Sequence, residues 1–432
     1  MSARNRELLA LIPASLLVTL GFAAIFIQRN ELLSNVSLTY GGIFLGLCFV
    51  AHLVIRFTLP YADPYLFPLV AVLACFGLVV IYRIDDVLAR DQAQWFVIGL
   101  IAFVATIFLL RDFRVLERYR YTIALAGLAL LLLPRVPGIG QQVNGAYLGV
   151  GIGPVSFQPA ELGKIAIVIF LAAYLRDTRQ VLVQGSRRFL GVTIPPFKHL
   201  GPLLVVWGAA MFMLVFIRDL GSSLMYFGAF LALIYVATNR LSFVVIGLGM
   251  FAAGAYFFAS TVGHVQDRID VWLNPFAPGL YDAEGGSYQI ANGMFAMADG
   301  GLFGRGLGAA VLRVPDGGPL IPAPETDMIY AVIVNDLGLV GGLGVIATYM
   351  LIAERGFKIA TLAADSFSKL LATGLTAVMA LQVFVIVGGV TRVIPLTGVT
   401  LPFVSYGGSS IVANFILLAL LLLISNRART PA

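Results

Sequence analysis

The chain has 432 residues, 59% of them hydrophobic and only 12% charged, with a formal net charge of +6. A mean hydropathy of +0.94 excludes a water-soluble globular domain and predicts an all-α polytopic membrane protein. The basic excess implies no nucleic acid as partner, because basic loops against anionic membrane lipids account for it.

Twelve segments are apolar enough to cross a membrane, at approximately 8–27, 38–57, 66–83, 94–110, 119–134, 160–176, 200–217, 221–238, 242–260, 328–353, 369–393 and 406–425. Crossing a hydrocarbon core of about 30 Å takes about 20 helical residues. The fifth segment is short and ends at Pro134. Alternating polar and apolar residues punctuated by turns, the mark of a membrane barrel, are absent, so the spans are helices that satisfy their own backbone groups.

The first span follows Arg4 and Arg6 but ends in Phe26, Ile27, Gln28 and Arg29, without small residues for cleavage, and reads as an uncleaved anchor. Cys48 and Cys75 lie inside spans, where a thiol acts as a small hydrophobe. His52, His199 and His264 are scattered, and neither a disulfide framework nor a metal-ligand spacing is present.

With a cytoplasmic N-terminus, the inner segments hold 18 of the 28 Lys and Arg residues, so the positive-inside rule puts both termini in the cytoplasm. In that orientation four polar stretches face outward: the loop 135–159, the break at Arg218 and Asp219, the loop 261–327, and the segment 392–405.

The first stretch ends in FQPAELGK, which sets Glu161 and Lys164 three apart on one face of a helix. They read either as an intrahelical ion pair or as a point charge at Lys164 for an anionic group, oriented by Glu161. The second, FIRDLGSSL, interrupts an apolar stretch from 203 to 238. Its Arg218, Asp219 and Gly221 suit a tight turn, or else the turn exposes helix N-terminal amides beside Ser222 and Ser223, which attract phosphate.

The third stretch, about 67 residues, is far longer than an ordinary connection. Its RIDVWLNPF is amphipathic, with Trp272 suited to a membrane interface, and SYQIANGMFAMADGGLFGRGLG predicts a short helix followed by glycine turns. A structured lid carrying Asp299, Arg305 and Arg313 is expected. It closes on LIPAPETDMIY, where Glu325 and Asp327 stand at the threshold of an apolar helix. An ionisable residue there is costly and marks a functional site, unless Asp327 is only the helix N-cap.

The fourth stretch, TRVIPLTGVTLPFVSYGGSS, follows Arg392 with Pro395, Gly398, Pro402, Gly407 and Gly408. So many breakers imply irregular backbone, tolerated at membrane depth only when buried in protein or lining a cavity. Ser405, Gly407, Gly408 and Ser409 then lead into the last helix, as a further anion seat or as plain turn chemistry.

Taken in order, FQPAELGK, DLGSS, GGLFGRGLG, ETDMIYAVIVNDLG and PLTGVTLPFVSYGGSS resemble the SEDS family, the shape, elongation, division and sporulation proteins. The likeness covers residues 66 to 425 and is nearer to the elongation branch of actinobacteria-like lineages. It implies a peptidoglycan glycosyltransferase of the bacterial cytoplasmic membrane that polymerises lipid II at the outer face, working with a class B penicillin-binding protein. It also implies a ten-helix core, so that residues 1–60 are an added transmembrane hairpin and 61–432 the catalytic core with its large extracellular loop. The family aspartate follows a His and a Thr; here Asp327 matches it, with Glu325 in the place of the histidine. Gly149 stands where many members have Trp, and Ile386 replaces an Asn usual before PLTG.

On this resemblance Asp327 is the general base for attack of the acceptor 4-hydroxyl on the anomeric carbon of a lipid-linked sugar. One base and a good leaving group imply a single, inverting displacement. Lys164, Arg218 and Arg392 are the candidates to meet the departing pyrophosphate, with Glu161, Asp219, Ser405, Gly407, Gly408 and Ser409 as further substrate-binding positions. A divalent cation, Mg or Mn, held jointly by phosphate and carboxylate fits the same chemistry. A lipid II flippase and a non-catalytic scaffold for the penicillin-binding protein are the competing classes. A transporter sets its polar groups near the midplane, whereas here they gather at one rim.

Overall fold

The computed structural model describes residues 2–431 except 29–34, 144–145, 153–154, 184–186, 190–191, 195–200, 213–215, 218, 262, 284–285 and 312–319. The chain begins with α1 (Ala3–Ala10), α2 (Ile12–Gln28), α3 (Asn35–Thr58), α4 (Leu66–Ile84), α5 (Asp86–Leu109), α6 (Val115–Arg118) and α7 (Arg120–Leu132). Strands β1 (Gly140–Val143), β2 (Ala146–Ile152) and β3 (Val155–Phe157) precede α8 (Pro159–Val183), and β4 (Arg187–Phe189) and β5 (Val192–Ile194) follow it. Then come α9 (Gly201–Phe212), α10 (Leu220–Thr238), α11 (Leu241–Thr261), α12 (Gly263–Leu273), α13 (Pro278–Tyr281) and α14 (Tyr288–Gly300). The chain ends in α15 (Ile329–Leu362), α16 (Ser366–Val390) and α17 (Gly408–Arg429).

Among the described residues nine helices are long and apolar enough to cross a membrane, so the protein is an all-α, multi-pass membrane protein. The other three predicted spans fall on α7, α8 and α9. Of these α7 has only 13 residues, α8 carries five charged side chains, and α9 stops just before the undescribed 213–215. The connection over 135–159, expected as a loop, contains a three-stranded antiparallel sheet in the order β1-β2-β3. Its register sets Gly140 opposite Val150 and Val150 opposite Phe157.

The chain divides into two compact units. The first comprises Met1–Arg111, Asn274–Arg355 and Ile386–Ala432. In it α17 lies along α5, α2 along α4, and α4 along α5. Phe415 of α17 makes edge-to-face contacts with Phe96, Phe103 and Phe403, at centroid distances of 5.3, 6.2 and 5.3 Å. Such pairs contribute about 0.5–1.5 kcal/mol each beyond burial, and through Phe403 they fasten the irregular stretch after α16 to two helices. That stretch also lies tight against α4, because a Cβ on Gly77 would come within 2.6 Å of the Val404 backbone.

Two packed helices explain the NDLG of the fourth motif. Gly338 breaks α15 with φ 69°, and the carbonyls of Gly301 and Leu302 receive the amides of Leu339 and Val340 at 2.9 and 3.1 Å. A side chain at 338 would strike the Leu302 carbonyl at 2.3 Å, so only glycine fits. Just before the break, buried Asp336 takes two bonds from Arg83 of α4, at 2.8 and 3.3 Å. The glycine-rich segment after α14 is therefore pinned to α15, where Arg305 and Gly306 donate to the carbonyls of Asn335 and Asp336.

The second unit comprises Asp112–Leu273 and Gly356–Val385. Here α7 and α10 both pack along α8, and α10 meets α11. Leu131, Ile217 and Tyr226 form a buried cluster covered by Tyr147, Ala160 and Ile167. The Tyr226 hydroxyl donates to the Ala160 carbonyl at 2.8 Å, which keeps a buried phenol satisfied.

Candidate active site

In the first unit the site grows from the PETD turn. Two prolines and Ala323, held left-handed at φ 49°, turn the chain so that the amides of Thr326 and Met328 both reach the Ala323 carbonyl. Met328, Ile329 and Tyr330 then sink into the core at 0, 0 and 3% exposure, which leaves Glu325 and Asp327 half-buried at its edge.

The turn is strapped to the irregular stretch after α16. The Ser405 hydroxyl donates to the Thr326 carbonyl at 2.7 Å and accepts from the Leu401 amide at 2.9 Å. The Tyr406 amide donates to the Glu325 carbonyl at 2.8 Å. From α5, the buried Gln92 carboxamide donates to the Ser405 carbonyl at 3.2 Å and accepts from the Gly407 amide at 3.1 Å. The two most specific sequence motifs thus share one hydrogen-bonded frame.

Glycines bring the backbone close. Gly398 has φ 72°, and a Cβ there would lie 3.5 Å from an Asp327 carboxylate oxygen. At Gly408 the same addition would fall 2.2 Å from the Trp95 ring, so the start of α17 is seated on α5. Behind it, buried Ser409 and Ser410 open the helix, with Thr400 donating to the Ser410 hydroxyl at 2.8 Å. Half-buried Arg392 follows α16 in a left-handed conformation, φ 63°, and Phe403 does the same at 65°. Three of the four described non-glycine residues with positive φ therefore border this frame. Each costs roughly 1–2 kcal/mol, strain that persists only where the surroundings over-determine the backbone.

The second unit holds the other predicted residues. Lys164 is 1% exposed, donating to Glu161 at 2.6 Å and to the Gln382 carbonyl oxygen at 2.8 Å. Gln382 in turn donates to the second Glu161 oxygen at 3.4 Å, closing a ring of three polar side chains. Asp219 caps α10, accepting from the Ser222 amide at 2.9 Å and from its hydroxyl at 2.5 Å. The amide offered by the sequence as a phosphate seat is thus taken by Asp219. Burial pushes this carboxyl upward against those two bonds. Arg218 and Arg313 lie outside the described residues, and Asp299 and Arg305 pair with each other at the surface.

Asp327, Arg392, Ser405, Gly407, Gly408 and Ser409 belong to the first unit; Glu161, Lys164 and Asp219 belong to the second. Among the described residues no three His, Cys, Asp or Glu side chains converge as metal ligands. Sequence reasoning missed Gln92, Gln382 and Tyr406. A lone carboxamide within an apolar run, as at Gln382 in MALQVFV, was a readable signal, since a polar group in a membrane helix needs a partner.

Comparison with known proteins follows the same motifs. Residues 64–430 match the family model described as cell cycle protein, FtsW, RodA and SpoVE. The chain is 42% identical to the peptidoglycan glycosyltransferase RodA of Mycobacterium tuberculosis over 442 residues, covering 99% of this chain and 92% of that protein. It resembles a chain from a peptidoglycan synthase complex that coordinates polymerization and crosslinking, with 25% identity, 86% and 99% coverage and a TM-score of 0.68. It also resembles the rod shape determining protein RodA of Thermus thermophilus, with 26% identity, 86% and 98% coverage and a TM-score of 0.58.

Proposed function

Since the chain belongs to the FtsW, RodA and SpoVE family of cell cycle proteins and is a peptidoglycan glycosyltransferase, we propose that Asp327 is the general base of lipid II polymerisation. The carboxylate takes the proton of the acceptor 4-hydroxyl while that oxygen attacks the anomeric carbon of the lipid-linked donor. The bond from that carbon to pyrophosphate breaks in the same step, the anomeric centre inverts, and undecaprenyl pyrophosphate leaves. The observation that carries this reading is the frame in which Ser405 and Tyr406 hold the ETD turn and Gln92 holds the segment of Ser405 and Gly407, with left-handed Gly398 bringing its backbone beside the Asp327 carboxylate. Such preorganisation is what base catalysis needs from a scaffold.

Positive charge for the leaving group comes in this reading from Arg392, which shares the first unit with Asp327, whereas Lys164 of the second unit is buried and engaged by Glu161 and Gln382. Oxygen donors at Asp327 and Glu325 suit Mg or Mn but are too few for a protein cage. A divalent cation would therefore take its other ligands from pyrophosphate and water, and would neutralise the leaving group's charge. The site faces outward from the bacterial cytoplasmic membrane with both termini inside, and a class B penicillin-binding protein is the partner. The arginine distribution supports that orientation.

Purified protein with labelled lipid II tests the base. Asp327→Asn keeps the shape of the side chain and is expected to cut polymer formation by roughly 10²- to 10⁴-fold. Polymer at the wild-type rate would remove the assignment, and undiminished synthesis in EDTA would remove the cation.

A further inference from the structure

The basic end of the second unit carries a cavity that no step of the polymerisation uses. It opens between α6, the start of α7 and the end of α8, has a volume of about 360 Å³, and is lined by Arg114, Arg118, Arg120 and Arg176 with Glu117, Asp177 and Tyr121. Four guanidinium groups thus face two carboxylates. The acids are occupied within the wall, since Arg176 pairs with Glu117 and Asp177, and Arg120 with Asp177. Those pairs hold two cations rigidly. Arg114 has only an exposed contact of 3.5 Å with Asp112, and Arg118 makes no ion pair among the described residues. The four arginines exceed the two acids of the lining by two positive charges, one of which Asp112 offsets from beside Arg114.

An apolar track begins at the same place. Tyr121, Leu125 and Leu128 follow one another at i, i+4 and i+7 along α7 and are 62, 68 and 50% exposed. That spacing puts them in one stripe leading away from the cavity. A soluble phosphate would need only the cations. A cationic cavity that opens onto an exposed apolar helix stripe matches a molecule with an anionic head and an acyl tail.

We propose that this cavity binds the phosphate headgroup of an anionic glycerophospholipid, with an acyl chain along Tyr121, Leu125 and Leu128. Arg120 and Arg176 form the fixed wall, and Arg114 and Arg118 close on the phosphate. Arginine suits this role because its planar fork meets two phosphate oxygens at once.

The full-length protein in detergent, titrated with phosphatidylglycerol, phosphatidylcholine or inorganic phosphate, provides the test by native mass spectrometry and thermal shift. Phosphatidylglycerol is expected to bind and raise the melting temperature, and phosphatidylcholine to do neither. The double variant R114Q/R118Q should bind phosphatidylglycerol roughly 30-fold more weakly, at about one tenfold step per 1.4 kcal/mol and about 1 kcal/mol per basic residue. Both side chains are exposed, so the variant should fold, and the single R118Q provides a milder form of the same loss. L125Q/L128Q should weaken the lipid and leave phosphate binding unchanged. Equal binding of the two lipids, or undiminished phosphatidylglycerol binding in R114Q/R118Q, overturns the site. Inorganic phosphate acting as strongly as phosphatidylglycerol overturns the lipid assignment.

Discussion

Replacing Ser405 by Ala removes one hydroxyl that joins the two halves of the site. That hydroxyl accepts from the Leu401 amide at 2.9 Å and donates to the Thr326 carbonyl at 2.7 Å, in a residue only 3% exposed. Each bond contributes about 1 kcal/mol net, and a buried amide left without a partner costs about 1–3 kcal/mol more. The expected destabilisation is therefore about 3–5 kcal/mol, visible as a lower melting temperature in detergent. The effect on catalysis has a separate origin. Thr326 directly precedes Asp327, so a slack turn lets the carboxylate drift, and a displacement of about 1 Å can cost about 10²-fold in rate. In a continuous lipid II polymerisation assay, S405A should lower kcat by about 10- to 100-fold with little change in KM. Gln92→Leu acts on the same frame through the Ser405 carbonyl and the Gly407 amide, so the double variant should fall short of the product of the singles. A stable S405A enzyme with wild-type kcat would refute the idea that this frame positions the base.

Removing one partner of the buried Arg83 and Asp336 pair, as in R83M, should destabilise by about 3–5 kcal/mol, while R83M/D336L should recover most of the loss. A single variant as stable as wild type in a thermal melt would contradict that. Gly77→Ala forces a Cβ to within 2.6 Å of the Val404 backbone and should cost about 1–3 kcal/mol or more. Gly46→Ala, where a Cβ meets nothing within 4 Å, is the neutral control in the same measurement. Asp219 gives a pH dependence whose sign is opposite to that of a paired carboxylate. Burial raises its folded pKa, so the folded state holds the proton more tightly than the unfolded chain. This contribution is complete below the unfolded pKa and is lost as pH rises through the raised folded value. D219N keeps a capping oxygen for Ser222, and melting temperatures between about pH 4 and 7 should flatten in the variant. An unchanged slope would show that Asp219 does not carry the dependence.

The membrane class and the positions of nine of the twelve predicted spans were legible in the sequence because solvent acts locally. A run of about 20 apolar residues answers to lipid whatever its neighbours are. Asp327 was legible for the same reason, as a charge standing where a helix enters the apolar core. So were the turns after α14, since Gly301, Gly304, Gly306 and Gly308 all take positive φ that other residues resist.

Partnerships were not legible. Gln92 meets Ser405 across 313 residues, Lys164 meets Gln382 across 218, and Arg83 meets Asp336 across 253. The sheet over 140–157 likewise depends on one short strand finding the next. Hydrophobic periodicity records which face of a helix is apolar but not which helix covers it. The amino-acid sequence by itself determined that this chain spans a membrane and which residues are too polar to stand there idle. Only the tertiary structure decided which of them share a frame, because a hydrogen bond is set by the packing of whole helices and leaves no trace in the local order of residues.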